Sequence, residues 1–338
     1  MLQFNVALLL LIHLLSFVNC YLFQASFILS RYRESTHSSS SSSSSSTALS
    51  ISSQQLGEYT PISRNPNHRL PKLTIYDFTT NNHSSLVPYN VSLGIQNKLV
   101  DLHLKDRTDK TLDSLLIVTH PPLYTLGTGV ENLANLLPTL NSSSSSNDRV
   151  EIIQTTRGGE ITYHGPGQLV IYPILNLHNY KKDIHWYIRT LEQIVINSIT
   201  SYLLQSSGNI TCITNSLFNT NVPYKKDGIT GVFLNQKKIA SIGVKIRSGW
   251  ITMHGIAINL TYESLKYFSG IKACGLEGVT AGCLEESLGL GGNLDGGNNN
   301  NHEGRLLINN FKSHLINEIE KVLMVDVIYG NVTTIVEK

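Results

Sequence analysis

The stretch Glu151-Ile152-Ile153-Gln154-Thr155-Thr156-Arg157-Gly158-Gly159-Glu160-Ile161-Thr162-Tyr163-His164-Gly165-Pro166-Gly167-Gln168-Leu169-Val170-Ile171-Tyr172 sets two apolar runs around a glycine-rich centre. The runs over 152–155 and 169–174 are short, apolar and rich in β-branched residues, which is the pattern of buried strands. Glycines between them let the backbone approach a ligand closely or take positive φ. A loop of this kind that also carries an arginine, a tyrosine and a histidine suits the wall of a ligand pocket. The alternative is a plain hairpin connection, because Gly-Gly pairs are ordinary turn punctuation.

Periodicity on either side fills in the frame. A helix is expected over 91–104 and a buried strand over 115–118. From Asp183 to Leu204 the residues Trp186, Leu191, Ile194, Val195, Ile199 and Tyr202 recur at threes and fours, with Asp183 as the N-cap. The runs 231–234 and 238–246 flank Asn235-Gln236-Lys237 and read as a hairpin. A strand is expected over 251–260. Leu306, Leu307, Phe311, Leu315, Ile319 and Leu323 then mark a last amphipathic helix. Strands paired through hairpins, with helices alongside, imply an α+β fold with a mixed or antiparallel sheet and flanking helices.

The chain has 338 residues, enough for two average domains or one larger one. Lys+Arg 26 against Asp+Glu 24 leaves no basic face for nucleic acid. The cysteines Cys20, Cys212, Cys274 and Cys283 are irregularly spaced, and no CxxC pair occurs. Neither a zinc site nor a disulfide framework is indicated. Scattered thiols suit a reducing compartment.

Residues 1–60 read as a targeting leader. An apolar run over 6–18 matches a signal-peptide core and is too short to span a bilayer comfortably. Arg31, Arg33 and the serine tract 38–46 follow, the composition of a transit peptide. A two-part leader of this kind resembles those of plastid proteins, with the mitochondrion as the alternative destination; no membrane span is expected once the leader is gone. The low-complexity stretches 141–147 and 289–302 are too polar to bury a face and read as surface loops within a 70–338 domain. Four Asn-X-Ser/Thr sequons, at Asn90, Asn209, Asn259 and Asn331, read as chance matches in a chain rich in these residues.

The glycine-rich segment Arg157-Gly158-Gly159-Glu160-Ile161-Thr162-Tyr163-His164-Gly165-Pro166-Gly167-Gln168 resembles the signature of the lipoyl(octanoyl) transferase family. The resemblance continues in His120-Pro121-Pro122-Leu123-Tyr124-Thr125-Leu126-Gly127, Lys238-Ile239-Ala240-Ser241-Ile242-Gly243 and His254-Gly255-Ile256-Ala257-Ile258-Asn259. It ends in Phe268-Ser269-Gly270-Ile271-Lys272-Ala273-Cys274-Gly275, all in the family's order between about 85 and 290. It implies the catalytic fold shared with biotin and lipoate protein ligases. The implied reaction moves an octanoyl group from acyl carrier protein to a lipoyl-domain lysine, through an acyl thioester on a cysteine.

By that resemblance Cys274 carries the acyl group and Lys238 is the cation and proton carrier beside it. Arg157, Gly158, Gly159, Glu160, Ile161, Thr162, Tyr163 and His164 would line the acyl site. Ser241, Ile242 and Gly243, with Gly255, Ile256 and Ala257, form the other two substrate segments. Cysteine suits the role, since exchange between thioesters is nearly thermoneutral and amide formation then runs downhill. A thiol near pKa 8.5 needs a neighbouring cation to ionise at neutral pH. Strand alternation puts Lys237 and Lys238 on opposite faces, so only one can point inward.

The implied partners are acyl carrier protein as donor and lipoyl domains of 2-oxoacid dehydrogenase complexes, or the glycine cleavage H protein, as acceptor. Neither ATP nor a metal is expected. The segments depart from the family pattern at Ala273, where proline is usual, at Ala281-Gly282, where Ser-Leu is usual, and at Thr119, where Glu is frequent. An ATP-dependent lipoate–protein ligase of the same fold, or a non-catalytic binder of lipoyl domains or carrier protein, are the competing readings.

Overall fold

A computed structural model describes residues 59–64, 69–79, 86–106, 109, 111–130, 150–206, 223–226, 229–266, 268, 279–289 and 300–337. All of these belong to one compact unit spanning 53–338. The leader up to residue 58, the serine stretch 141–147, Cys212, Ala273 and Cys274 lie outside the described residues.

The chain enters through strand β1 (Lys72–Asp77) and helix α1 (Tyr89–Lys105). Next come β2 (Ser114–Val118), β3 (Leu123–Leu126), β4 (Glu151–Gln154), β5 (Ile161–His164) and β6 (Gln168–Ile174). Helix α2 (Ile184–Ser206) precedes β7 (Tyr224–Lys226), β8 (Ile229–Leu234), β9 (Lys237–Arg247) and β10 (Ile251–Asn259). A short α3 (Leu284–Ser287), the long α4 (Asn300–Leu323), β11 (Asp326–Tyr329) and α5 (Val332–Glu337) complete the described chain.

Eight strands form one mixed sheet in the order β11-β1-β2-β6-β10-β9-β8-β7, and β4-β3-β5 form a second sheet of three. The β11-β1-β2 edge is parallel, and from β2 to β7 every pairing is antiparallel. The architecture is α+β.

Helices cover both faces of the central strands, which explains their unbroken apolar runs. In β2, Leu115 and Ile117 face α2 and α4, while Leu116 and Val118 face α1. In β6 the same alternation sends Leu169 and Ile171 one way and Val170 and Tyr172 the other. Phe311, Leu315 and Ile319 of α4 meet Leu191, Val195 and Ile199 of α2 over the first face. Each such fully buried aliphatic or aromatic side chain contributes about 1.5–3 kcal/mol. Asp183 caps α2 as its position suggests, its carboxylate accepting from Trp186 N at 3.0 Å, a contact that stabilises by about 1 kcal/mol.

Several expectations change. The glycine-rich segment is not one loop, because β5 lies inside it and pairs antiparallel with β3. The strand expected to be buried over 152–155 is β4, an edge strand whose residues are exposed or half-exposed, because only β3 pairs with it. The hairpin turn is two residues, not three: Asn235 and Gln236 take φ of 51° and 64°, and Lys237 already belongs to β9. Two consecutive left-handed residues match the twist of antiparallel strands. Helix α4 begins at Asn300, inside the stretch expected to be a loop. The sequon at Asn259 is buried at 4% exposure, with no room for a glycan.

Candidate active site

Register brings two of the expected substrate segments side by side. In the β9–β10 pair, Ser241 lies opposite Ala257, Ile242 opposite Ile256, and Gly243 opposite Gly255. Lys238 stands three residues earlier on β9. The third segment, Arg157 to Glu160, crosses this hairpin and is bonded to it by Gly158 N donating to Val244 O at 2.9 Å. Gly243 permits the crossing: a Cβ there would sit 3.0 Å from both Arg157 Cδ and Gly158 O. On its other side the segment is clasped by the turn after β3, through Gly127 N to Glu160 O, Thr128 N to Arg157 O and Gly129 N to Gly159 O, all within 3.0 Å.

A cavity of about 300 Å³ opens between these pieces. Arg157, Gly159, Glu160, Ile161, Thr162 and His164 form one wall. Lys238 and the paired triplets 241–243 and 255–257 form another. Gly158 and Tyr163 do not border it. Alternation along β5 sends Tyr163 to the opposite face, where it packs against Tyr124 and Phe268 with ring centroids 5.6 Å away in each case. The two lysines part as alternation requires: Lys238 is 3% exposed and reaches the cavity, whereas Lys237 turns outward to an ion pair with Glu286.

Lys238 Nζ donates to Thr230 O at 2.7 Å and lies 5.9 Å from the Phe233 ring. Its backbone is paired as well, with N donating to Thr280 O at 2.8 Å and O accepting from Gly282 N at 3.0 Å. Residues 279–283 thus return to Lys238 directly after 269–278, the stretch that holds Cys274. From Val279, five residues lead back to position 274, no more than about 18 Å of extended chain. Cys283 lies on the described side of that boundary. It is fully buried, and burial pushes its thiol up to about 12, so it stays protonated.

Behind the cavity runs a continuous chain of buried polar groups. Arg157 donates to Thr125 O and Oγ1 at 2.7 and 2.9 Å and to Gly158 O at 3.0 Å. Thr125 Oγ1 lies 3.3 Å from His164 Nε2, and His164 Nδ1 lies 2.8 Å from Gln168 Oε1. Gln168 Nε2 donates to Tyr163 O and to Asn259 Oδ1, and Asn259 Nδ2 donates to Gly282 O at 3.0 Å. Because Gln168 offers an oxygen to Nδ1, the proton of His164 sits on Nδ1 and Nε2 accepts. Burial, followed by the neighbouring His120, holds His164 down to about 3, so the ring is neutral. Sequence reading left His164 open between substrate contact and structural link. It borders the cavity and forms the link.

Tyr89, Tyr172 and His254, which the sequence did not single out, also reach the cavity. His254 takes φ 57° within β10, a strained position for a non-glycine residue. Its Nδ1 lies 3.4 Å from Tyr89 Oη, and its buried Nε2 has no hydrogen-bond partner among the described residues. Desolvation, then Arg157, holds it down to about 4, while burial raises Tyr89 to about 12. A histidine directly before the glycine of a substrate segment was the available signal; for Tyr89, at the mouth of a helix, there was none.

The profile described as lipoyl protein ligase A/B catalytic domain matches residues 88–282, more than half of the chain. A chloroplastic octanoyltransferase of Arabidopsis thaliana is 36% identical over 228 residues, covering 66% of this chain and 71% of the relative. The chain belongs to the lipoyl(octanoyl) transferase family. An octanoyltransferase of Nostoc punctiforme is 40% identical over 205 residues, covering 60% of this chain and 77% of its own length. Among solved structures, a putative lipoate protein ligase from T. acidophilum with bound lipoic acid is similar at a TM-score of 0.48 and 16% identity, over 79% of this chain and 92% of that one.

The transferase is an acyltransferase of octanoyl groups in protein lipoylation. Its cavity fits that class: Ile242, Ile256, Ala257 and Val170 give apolar wall, and polar groups collect at Arg157, His164 and Lys238. A volume of about 300 Å³ is at the small end for ligand sites, which suits a single medium-length aliphatic chain. Each methylene buried there contributes about 0.8 kcal/mol.

Proposed function

We propose that the transferase takes octanoate from acyl carrier protein as a thioester and passes it, through Cys274, to the lysine of a lipoyl domain. The observation that carries this reading is the convergence of Lys238 with the Arg157–His164 segment and the paired 241–243 and 255–257 triplets on one cavity. The thiolate of Cys274 attacks the donor's thioester carbonyl carbon. The bond to the carrier thiol breaks, and that thiol leaves with a proton from the Lys238 ammonium. The acceptor lysine's neutral amine then attacks the acyl-cysteine; the C–N bond forms, the C–S bond breaks, and Lys238 takes the amine's surplus proton. Thiolate and ammonium are restored, with no ATP and no metal. The apolar wall holds the eight-carbon tail while the polar end keeps the carbonyl beside Lys238.

Intact-mass measurement tests the sequence of steps. Incubation with octanoyl-acyl carrier protein should add one octanoyl group to the enzyme, and a lipoyl domain should remove it. Cys274→Ser should abolish the labile adduct and cut transfer by at least about a hundredfold. Full activity in that variant, or dependence on ATP, would favour the ligase reading.

The acceptors proposed are lipoyl domains of 2-oxoacid dehydrogenase complexes and the glycine cleavage H protein. The site of action proposed is the plastid, supported by the leader's composition and by the chloroplastic location in the name of the Arabidopsis relative. Residues 1–60 fused to a fluorescent reporter should direct it to plastids; fluorescence confined to mitochondria refutes the assignment.

A further inference from the structure

Lys238 rests on a peptide group that a buried carboxylate holds from the other side. Its Nζ donates to the carbonyl oxygen of Thr230 at 2.7 Å, and the N–H of the same peptide unit, that of Gly231, donates to Glu192 Oε1 at 3.0 Å. A peptide unit is planar, with its C=O and N–H pointing in opposite directions, so fixing one end aims the other. Glu192 projects from α2 with no solvent exposure, and its Oε2 lies 2.6 Å from Arg189 Nη1. Lys225 and Lys238 are the other charges that act on it.

Burying a carboxylate is costly unless it is paired and hydrogen-bonded. Arg189 forms an ion pair with one oxygen of Glu192, which makes no hydrogen bond among the described residues, and the N–H of the Thr230–Gly231 peptide donates to the other. Gly231 is what lets the lysine reach this peptide. At φ 137° it has no side chain, and a Cβ would lie 2.5 Å from Lys238 Cε and 2.6 Å from Ala240 O. Hydrogen bonds in a chain polarise one another. An anion at the N–H end therefore strengthens the carbonyl as an acceptor for a cation at the other end.

We propose that Glu192 is a positioning residue for Lys238, its carboxylate acting through the Thr230–Gly231 peptide to aim Nζ at the cavity and to favour the ammonium form. The inference rests on the reading of Lys238 as the proton carrier and deepens it. During transfer Lys238 gives up a proton when the carrier thiol leaves and regains one from the acceptor amine. Glu192 favours the regained state and so favours the second half-reaction.

Two variants of the full-length protein and two readouts test it. Glu192→Gln keeps the shape and one oxygen to accept from Gly231 N, but loses the charge and the second acceptor; Glu192→Leu loses the charge and both acceptors. The first readout is the pH profile of Lys238 acetylation by acetic anhydride, followed by peptide mass spectrometry, which needs no assumption about catalysis. The second is the single-turnover rate of octanoyl transfer from the acyl-enzyme to a lipoyl domain. The acetylation profile should move to lower pH by about one unit in both variants. The transfer rate should fall about tenfold in Glu192→Leu and less in Glu192→Gln, with KM for the acyl donor unchanged. Profiles that overlay the wild type overturn the proposal, whatever the rates. A displaced profile with an unchanged rate upholds the link from Glu192 to Lys238 and overturns the role of Lys238 in transfer. Thermal melts identify a misfolded variant, and should Glu192→Leu be one, Glu192→Gln carries the test alone.

Discussion

Asn259 shows how one buried amide can join segments far apart in sequence. Its Oδ1 accepts from Gln168 and its Nδ2 donates to Gly282 O. It thereby ties the end of the glycine-rich segment to the residues that pair with the Lys238 backbone. Substituting Asn259 by leucine keeps the size but leaves the Gly282 carbonyl without this donor and one proton of the Gln168 amide without an acceptor. A buried polar group deprived of its partner costs about 1–3 kcal/mol. Asn259→Leu should therefore lose about 2–6 kcal/mol in denaturant titration, on the same accounting of two groups. The transfer rate should fall with it, because residues 279–282 lose their anchor to β10. Loss of stability with an unchanged rate would show that the network supports the fold alone. The sequence marked Asn259 only as the end of a substrate block and as a sequon. Its bonds run to residues 91 and 23 positions away, and no local pattern encodes that.

At the scale of elements, the sheet interior was legible because β2, β6 and β10 are covered on both faces and therefore read as unbroken apolar runs. Helices α2 and α4 were legible from a single apolar stripe each. The missed elements share a different feature. β1 and β11 are short and parallel, β11 lies at a sheet edge, and their pairing depends on contacts more than two hundred residues apart. β5 was hidden because Gly159 and Gly165 sit on either side of it, so its four residues read as part of a loop. The segments Arg157–His164, 241–243 and 255–257 were legible through resemblance, although Gly158 and Tyr163 turn away from the cavity, and the register of β9 with β10 supplies the geometry that resemblance lacked. The β8–β9 turn supports a prediction of its own. Asn235 suits left-handed backbone, but Gln236 at φ 64° does not. Gln236→Gly should stabilise the protein by about 0.5–1 kcal/mol, since the relief of steric strain exceeds the entropy glycine adds to the unfolded chain. A lower melting temperature in that variant would mean that the Gln236 side chain makes a contact worth more than the strain.

Across the whole molecule, the distribution of buried titratable groups sets the response to acid. Burial lowers the pKa of His103, His120, His164, His254 and His314 below their ordinary 6.5, with His120 and His254 at about 4 and His164 at about 3. Burial has the opposite effect on Asp113, raised from 3.8 to about 6, and on Glu192, also raised. Below pH 6.5 the unfolded chain binds protons at the histidines that the folded chain refuses, so their contribution to stability is complete above that pH and is lost as pH falls toward 4. Asp113 and Glu192 work the other way, because the folded chain holds their protons at a pH where the unfolded chain has released them. Among the described residues five lowered histidines and the lowered Asp183 stand against two raised acids, and the histidine window starts at a higher pH than the window of Asp113. Stability rises with pH wherever the unfolded state binds more protons. The urea midpoint should therefore fall between pH 7 and pH 5 and stay nearly level between pH 7 and pH 8. His164 and His254, which border the cavity, stay uncharged in the folded protein through that range and gain protons only where the chain unfolds. Replacing His164 by glutamine removes one of the uncharged rings and should make the midpoint less dependent on pH between 7 and 5. A midpoint that rises on acidification would mean that the two buried acids, not the histidines, govern the balance.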